Sequence, residues 1–392
     1  MKHSLYIAIV LLLSVGYLQA ADVPVIEKPG ERQWHNRRTM SIAFLPDGKR
    51  FITASRDNTA RIWDATSGEE LHVIREHADA VNSVSFSPDG KRFVGAMRDG
   101  TALIVDIDSG EVLHILRGDG VTSVFFFPDG KKVATADTGD GSIRIWDVES
   151  GNVVQTLKGH ARGPESNPFN TGEVRIVFFF PDGKRIVTSG DEDTKIWDVD
   201  SGKALQTLKF PSSAGALSPN GNELLLGGTL GKVQIWDMDL EKMMKGFGDI
   251  DEDLSWTGHS GYIAFVSFFP DGKRIVTISS SEMDGNTTRI WDIESGRQLQ
   301  KLWGFRYSTS SIAFLPGGNR IITSNDDGDG DTARIWDADS GVRLQVLPHS
   351  FQRHGVLGMQ RDGPSSFAFS PDGKKVVTGS FYGSVRVWTL EQ

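Results

Sequence analysis

At 392 residues, with 38% hydrophobic and 24% charged residues, the chain is too long for one ordinary compact core and has the balance of a folded soluble protein. A net charge of -9 and a pI near 5.5 exclude a general nucleic-acid binder, which needs a basic surface, and a protein that clings to anionic membranes. The absence of cysteine excludes disulfides, thiol chemistry, thiolate metal sites and a lipid-modified N-terminal cysteine.

Residues 1–20 read as a secretory signal peptide. Lys2 supplies a short basic region, an apolar run extends from Leu5 to Leu18, and Ala20-Ala21 offers a small-residue cleavage site. The run is short for a membrane span of roughly 20 residues; an uncleaved anchor is the alternative. No later stretch is long and apolar enough to span. From residue 22 to 392 the chain reads as one domain.

Two short signatures then alternate. A Pro-X-Gly turn occurs at Pro46, Pro88, Pro128, Pro181, Pro219, Pro270, Pro316 and Pro371. A run ending in Trp-Asp occurs at Trp63, Trp146, Trp197, Trp236, Trp291 and Trp336, with weaker forms at Val105 and Trp388. That makes eight interleaved units. In the second unit "VNSVSF", "RFVGAM", "TALIVDI" and "EVLHIL" alternate apolar and polar residues between turn signals, so each unit reads as four strands, a to d. Pro presets the first turn dihedral, and Gly supplies the unusual one. No segment has a strong helical period, and the fold class is all-β.

A lone four-stranded sheet cannot bury both faces, but sheets stacked around an axis can. Ile42, Val84, Val124, Val177, Val266 and Ile312 recur in strand a, and Phe44, Phe86, Phe126, Phe179, Phe268, Phe314 and Phe369 two residues later. Period 2 puts both sets on one face, which is expected to pack between blades. The fifth unit, with Gly215 and Leu217 there, is eroded.

These eight units in register resemble the WD40-repeat β-propeller family over essentially the whole chain from about residue 22. The resemblance implies an eight-bladed ring; seven blades with one irregular appendage is the alternative. The last unit ends after strand c, in "SVRVWTLEQ". In the family an N-terminal strand completes such a blade, and "DVPVIEK" is placed to do so. Pro24 suits an outermost edge.

The family also implies a buried network of a His before strand a, a Ser at the end of strand b, an Asp in the b–c turn and a Trp in strand c. The first blade offers His35, Ser55, Asp57 and Trp63; the fourth offers His160, Ser189, Asp191 and Trp197. Read without the family, His35, Ser55 and Asp57 look like a hydrolase triad. A buried bracing network is the expected reading, because a nucleophile inside a blade meets no substrate. No Gly-X-Ser-X-Gly motif appears. The second blade has Met97 and Val105, and the eighth has Tyr382, in place of network residues.

Length variation is concentrated in the d–a and b–c loops, which share the face called the top in this family, where specificity is expected. Arg37, Arg38, Arg56 and Arg98 fall on the first two blades there. Asp249, Asp251, Glu252, Asp253, Asp326, Asp327, Asp329 and Asp331 fall on the sixth and seventh. Such a dipolar face can orient a charged partner. Phe169, Trp256, Phe305, Phe381 and Tyr382 are candidate aromatic anchors. Asp327, Asp329 and Asp331 alternate as calcium ligands would. Thr332 and Ala338, however, stand where an EF-hand-type loop needs its Gly and Glu, so a solvated acidic turn is the plainer reading. No cofactor is expected. The expected function is a monomeric, non-catalytic protein-binding scaffold in the periplasm or secreted medium. The alternatives are a hydrolase or lyase at the channel mouth, with His349 and His354 as its best candidates, or a carbohydrate-binding module.

Overall fold

The computed structural model describes residues 35–390 apart from 76–80, 119, 138–139, 161–173, 175, 191, 229–230, 239–241, 248–258, 260, 281–286, 303–308, 316–317, 326–331, 349–352, 356–357, 361–363 and 381–382. The signal peptide, the "DVPVIEK" strand and Pro24 lie outside the described residues. Seven antiparallel sheets have four strands in sequence order, and the eighth has three described strands. The blades occupy residues 39–74, 81–117, 121–157, 176–208, 212–247, 262–302, 309–348 and 364–389. A small hairpin, Arg353–Gly355 with Gly358–Gln360, precedes the last blade.

Eight apolar clusters stand between the blades, one at each seam. At the first seam Ile52, Ile62 and Ile74 meet Val81, Phe93 and Leu103. At the eighth, Ile42, Phe51 and Trp63 of blade 1 meet Val377, Val385 and Val387 of blade 8, which closes the ring. The strand-a residues Val84 and Phe86 pack into the seam with the preceding blade, the face their spacing predicts. Each fully buried Ile or Phe stabilises a seam by about 1.5–3 kcal/mol.

The Pro-X-Gly turns also act between blades. A Cβ on Gly90 would lie 3.1 Å from Pro46 Cδ, one on Gly130 3.2 Å from Pro88, one on Gly318 3.1 Å from Pro270 and one on Gly48 3.3 Å from Pro371. Among the described residues each turn proline therefore rests on the turn glycine of the next blade, in a collar around the bottom of the ring. Outside the collar, the first residue of strand b reaches the c–d turn of the next blade. Arg50 pairs with Asp108 at 2.6 Å, Arg92 with Glu149 at 2.7 Å and Lys132 with Asp200 at 3.2 Å. Strand d reinforces the same turns, with Gln155 donating to the Asp200 carbonyl at 3.1 Å and Gln300 to that of Asp339 at 2.8 Å. In the eroded fifth blade Glu223 takes the cation's place. Lys245 compensates from strand d, donating to the Ile293 and Glu294 carbonyls at 3.0 and 2.7 Å.

Candidate functional site

The His–Trp network is built differently from its sequence expectation. In blade 1 the bridging hydroxyl is Thr53. It accepts from Trp63 Nε1 at 2.8 Å and meets His35 Nε2 at 2.7 Å, while His35 Nδ1 lies 2.9 Å from Asp57. Phe51 is paired with Trp63, so Thr53 is the same-face neighbour nearest the indole. Ser55 is two residues, or about 7 Å, further along the strand. Ser55 instead donates to the Arg37 carbonyl at 3.0 Å and accepts the Asp57 amide at 3.1 Å, tying the d–a loop to the b–c turn. Its hydroxyl does not face the imidazole, so the triad geometry is not formed.

In blade 4 the network differs from its sequence expectation through register. Ser189 is paired with Thr194, as Ala54 is with Ala60 in blade 1, so Ser189 occupies the Ala54 position. The network uses Thr188, which meets His160 Nε2 at 2.5 Å and accepts from Trp197 at 2.7 Å. The acid is Asp193, 2.6 Å from His160 Nδ1; Asp191 lies outside the described residues. Ser189 bonds instead to the Ser212 carbonyl at 2.9 Å, stapling blade 4 to blade 5. Blade 6 repeats the arrangement with a second threonine in place of the histidine's acid among the described residues: His259 lies between Thr277 at 2.6 Å and Thr287 at 2.8 Å, and Trp291 donates to Thr277. Among the described residues, blades 3, 7 and 8 show the indole–threonine bond, at Trp146–Thr135, Trp336–Thr323 and Trp388–Thr378, without a histidine on it. The signal for this was a strand-b threonine that recurs six times in the sequence.

Burial drives His35 below its ordinary pKa, against the pull of Asp57. Burial raises Asp57, but hydrogen bonds from His35, Thr59 and the Asn36 amide outweigh it and hold the carboxylate well below its usual range. At neutral pH the pair is a neutral imidazole donating to a carboxylate. His259, lowered by burial and by the nearby charges of Arg289 and Lys301, falls to about 3. These groups are braces. Thr53→Val should cost about 2–4 kcal/mol, because the indole and imidazole nitrogens stay buried without their partner. Urea unfolding of the variant against Ser55→Ala, expected to lose about 1 kcal/mol, separates the two hydroxyls.

On the top face, Arg37, Arg38 and Arg56 converge on blade 1. The Arg56 amide donates to the Arg38 carbonyl at 3.0 Å. Arg38 is half-buried and is shifted down by that burial and by the nearby Arg56 charge. Arg37 and Arg56 are exposed, as is Arg98 on blade 2. Arg98 occupies the same b–c turn position as Arg56: Asn58 and Gly100, two residues on, both have positive φ, 65° and 88°. Among the described residues, Arg37, Arg56 and Arg98 form no ion pair. At the bottom Arg50, Arg92 and Lys132 are engaged across seams; these are not. Phe169, Trp256, Phe305, Phe381 and Tyr382 lie outside the described residues, as do the acidic loops with Asp327, Asp329 and Asp331, and His349. His354 sits on the small hairpin opposite Met359. Among the described residues no group of three His, Asp or Glu is placed to hold a metal ion. Tyr262, the first residue of strand a in blade 6, is 52% exposed, and no pattern in the sequence marks it.

The family profile described as "WD domain, G-beta repeat" matches residues 31–64, 68–106, 110–147, 151–198, 252–292 and 346–389. The chain belongs to the WD40 family. The unmatched stretches hold blade 5, the eroded unit, and most of blade 7. A guanine nucleotide-binding protein subunit beta of Oryza sativa subsp. japonica is 25% identical over 91% of this chain and 82% of its own length. A nuclear distribution protein PAC1 of Arthroderma otae is 28% identical over 70% of this chain and 63% of its own. Neither name describes a reaction. The crystal structure of the computationally designed Ika8 protein superimposes with a TM-score of 0.70, at 22% identity, over 91% of this chain and 97% of its own, a likeness of fold. The eight-bladed ring stands, and the seven-bladed alternative does not.

Proposed function

We propose that this WD40 propeller is a monomeric, non-catalytic scaffold that works outside the cytoplasm and binds an acidic protein surface through the top of blades 1 and 2. The observation that carries this is the gathering of Arg37, Arg38 and Arg56, with Arg98 on the next blade, in a chain of net charge -9. Like charges held together on a rigid rim repel one another, and an acidic partner relieves that cost while setting orientation. The relatives support a binding role: one is named as a subunit of a larger protein. The extracytoplasmic setting rests on Lys2 and the apolar run of the first 20 residues. N-terminal sequencing of the exported protein should begin near Ala21.

The test is a pull-down from a cell-envelope extract with wild type and with Arg37, Arg38, Arg56 and Arg98 changed to Ala. The expected result is one protein captured by the wild type and lost by the variant. With that protein purified, affinity should fall roughly 10–100-fold, mostly in the association rate at low salt. Equal capture by both would remove the arginine rim as the site.

A further inference from the structure

Eight copies of one blade give the molecule an internal control. A surface feature that recurs at the same register in each blade belongs to the architecture; one that stands in a single blade does not. Of the exposed large apolar side chains among the described residues, nearly all lie on or beside strand d. Leu71, Val154, Leu205, Met244, Leu299 and Leu344 each sit three residues before the last apolar residue of that strand. They form a repeated outer row and mark no site. Tyr262 stands apart. It opens strand a, the strand whose copies approach one another around the axis, which places it at the top, inner end of blade 6, beside the channel mouth.

Register makes the point sharper. Ile263 is paired with Ser279 as Thr39 is with Ser55, so Tyr262 occupies in blade 6 the position of Arg38 in blade 1. The same position holds Gly120 in blade 3 and Pro211 in blade 5. Among the described rim positions, the two large side chains are thus a cation and an aromatic, three blades apart across one mouth. Ala264, the bulged residue after it, is also exposed, which leaves the tyrosine ring an open approach.

We infer that Tyr262 is a second anchor of the same binding face and takes an aromatic or aliphatic side chain of the partner. The partner's acidic group sits on the arginine rim of blades 1 and 2. The bound segment is then an extended peptide that lies across the channel mouth, acidic at one end and apolar at the other. This rests on the arginine rim being a binding site, and the experiment separates the two claims. A fluorescein-labelled peptide with a block of Asp and Glu, joined through a graded series of Gly-Ser spacers to a Trp, is titrated by anisotropy against its counterpart with Ala in place of Trp. On the wild type and on Tyr262→Phe, the Trp should tighten binding roughly tenfold at one spacer length. On Tyr262→Ala, folded as judged by an unchanged melting temperature, the two peptides should bind alike. No gain from the Trp at any spacer length, or a gain that survives in Tyr262→Ala, overturns the inference. Unweakened binding of the Ala peptide to the four-arginine variant would instead overturn the rim.

Discussion

Gly383→Ala should destabilise the propeller by about 3–4 kcal/mol, although it adds only one methyl group, at a buried turn glycine. Gly383 has φ +87°, a left-handed conformation that costs an alanine roughly 1–2 kcal/mol. Its carbonyl accepts the His35 amide at 3.1 Å. A Cβ there would lie 2.6 Å from the Arg37 carbonyl oxygen and closer still to that of His35. No flexible side chain is available to yield; the loop before strand a of blade 1 must move. That movement breaks the hydrogen bond, worth about 1 kcal/mol, and pulls His35 off Thr53 and Asp57. It also falls on the seam where blade 8 meets blade 1. Gly110→Ala is the control: φ is +74°, but the nearest atom is His72 Nδ1 at 3.9 Å, so about 1 kcal/mol is expected. Urea unfolding of both variants decides the matter. Equal losses would show that backbone conformation, and not the contact between blades 8 and 1, sets the cost.

The number of blades was legible because each blade must show the same two faces to its neighbours, and that demand repeats the period-2 apolar pattern and the Pro-X-Gly turn eight times. Contacts between strands were less legible. Ser55 and Thr53 both lie in one strand, and only the pairing of Phe51 with Trp63 tells which hydroxyl the indole reaches. In blade 4 the b–c loop is one residue shorter, which moved the acid from the expected Asp191 to Asp193 and put Ser189 on the opposite face of its strand. The proline collar was hidden for a related reason: Pro46 and Gly90 meet through the seam between two blades, not within one turn. On the top face, the arginines could be placed because a b–c turn has a fixed shape. Tyr262 is not legible in the sequence because its partners in register, Arg38, Gly120 and Pro211, share no residue type with it.

Acid should unfold this protein well above the pH at which carboxylates protonate, with buried histidines as the cause. His35, His160 and His259 all have pKa values lowered chiefly by burial. A histidine that is harder to protonate folded than unfolded gives up stability as pH falls through its unfolded value of 6.5, and goes on doing so down to its folded value. For His259 that window runs from 6.5 to about 3. Between pH 6.5 and 4.5 it should remove about 2.5 kcal/mol, at 1.36 kcal/mol per unit. His35 and His160 act in the same sense. Asp57, held low, adds its loss only below the unfolded carboxylate range near 3.9. Glu223 has the opposite sign: burial and Asp237 raise it, so its protonation near the bottom of the window relieves a cost of the folded state. The wild type should therefore take up more than one proton on unfolding between pH 6 and 4.5, measured as the slope of unfolding free energy against pH. His259→Gln should reduce that slope by nearly one proton, whatever it does to stability at pH 7.5. An unchanged slope would mean that His259 is charged in the folded state, which the paired threonines at its two nitrogens and the neighbouring Arg289 and Lys301 argue against.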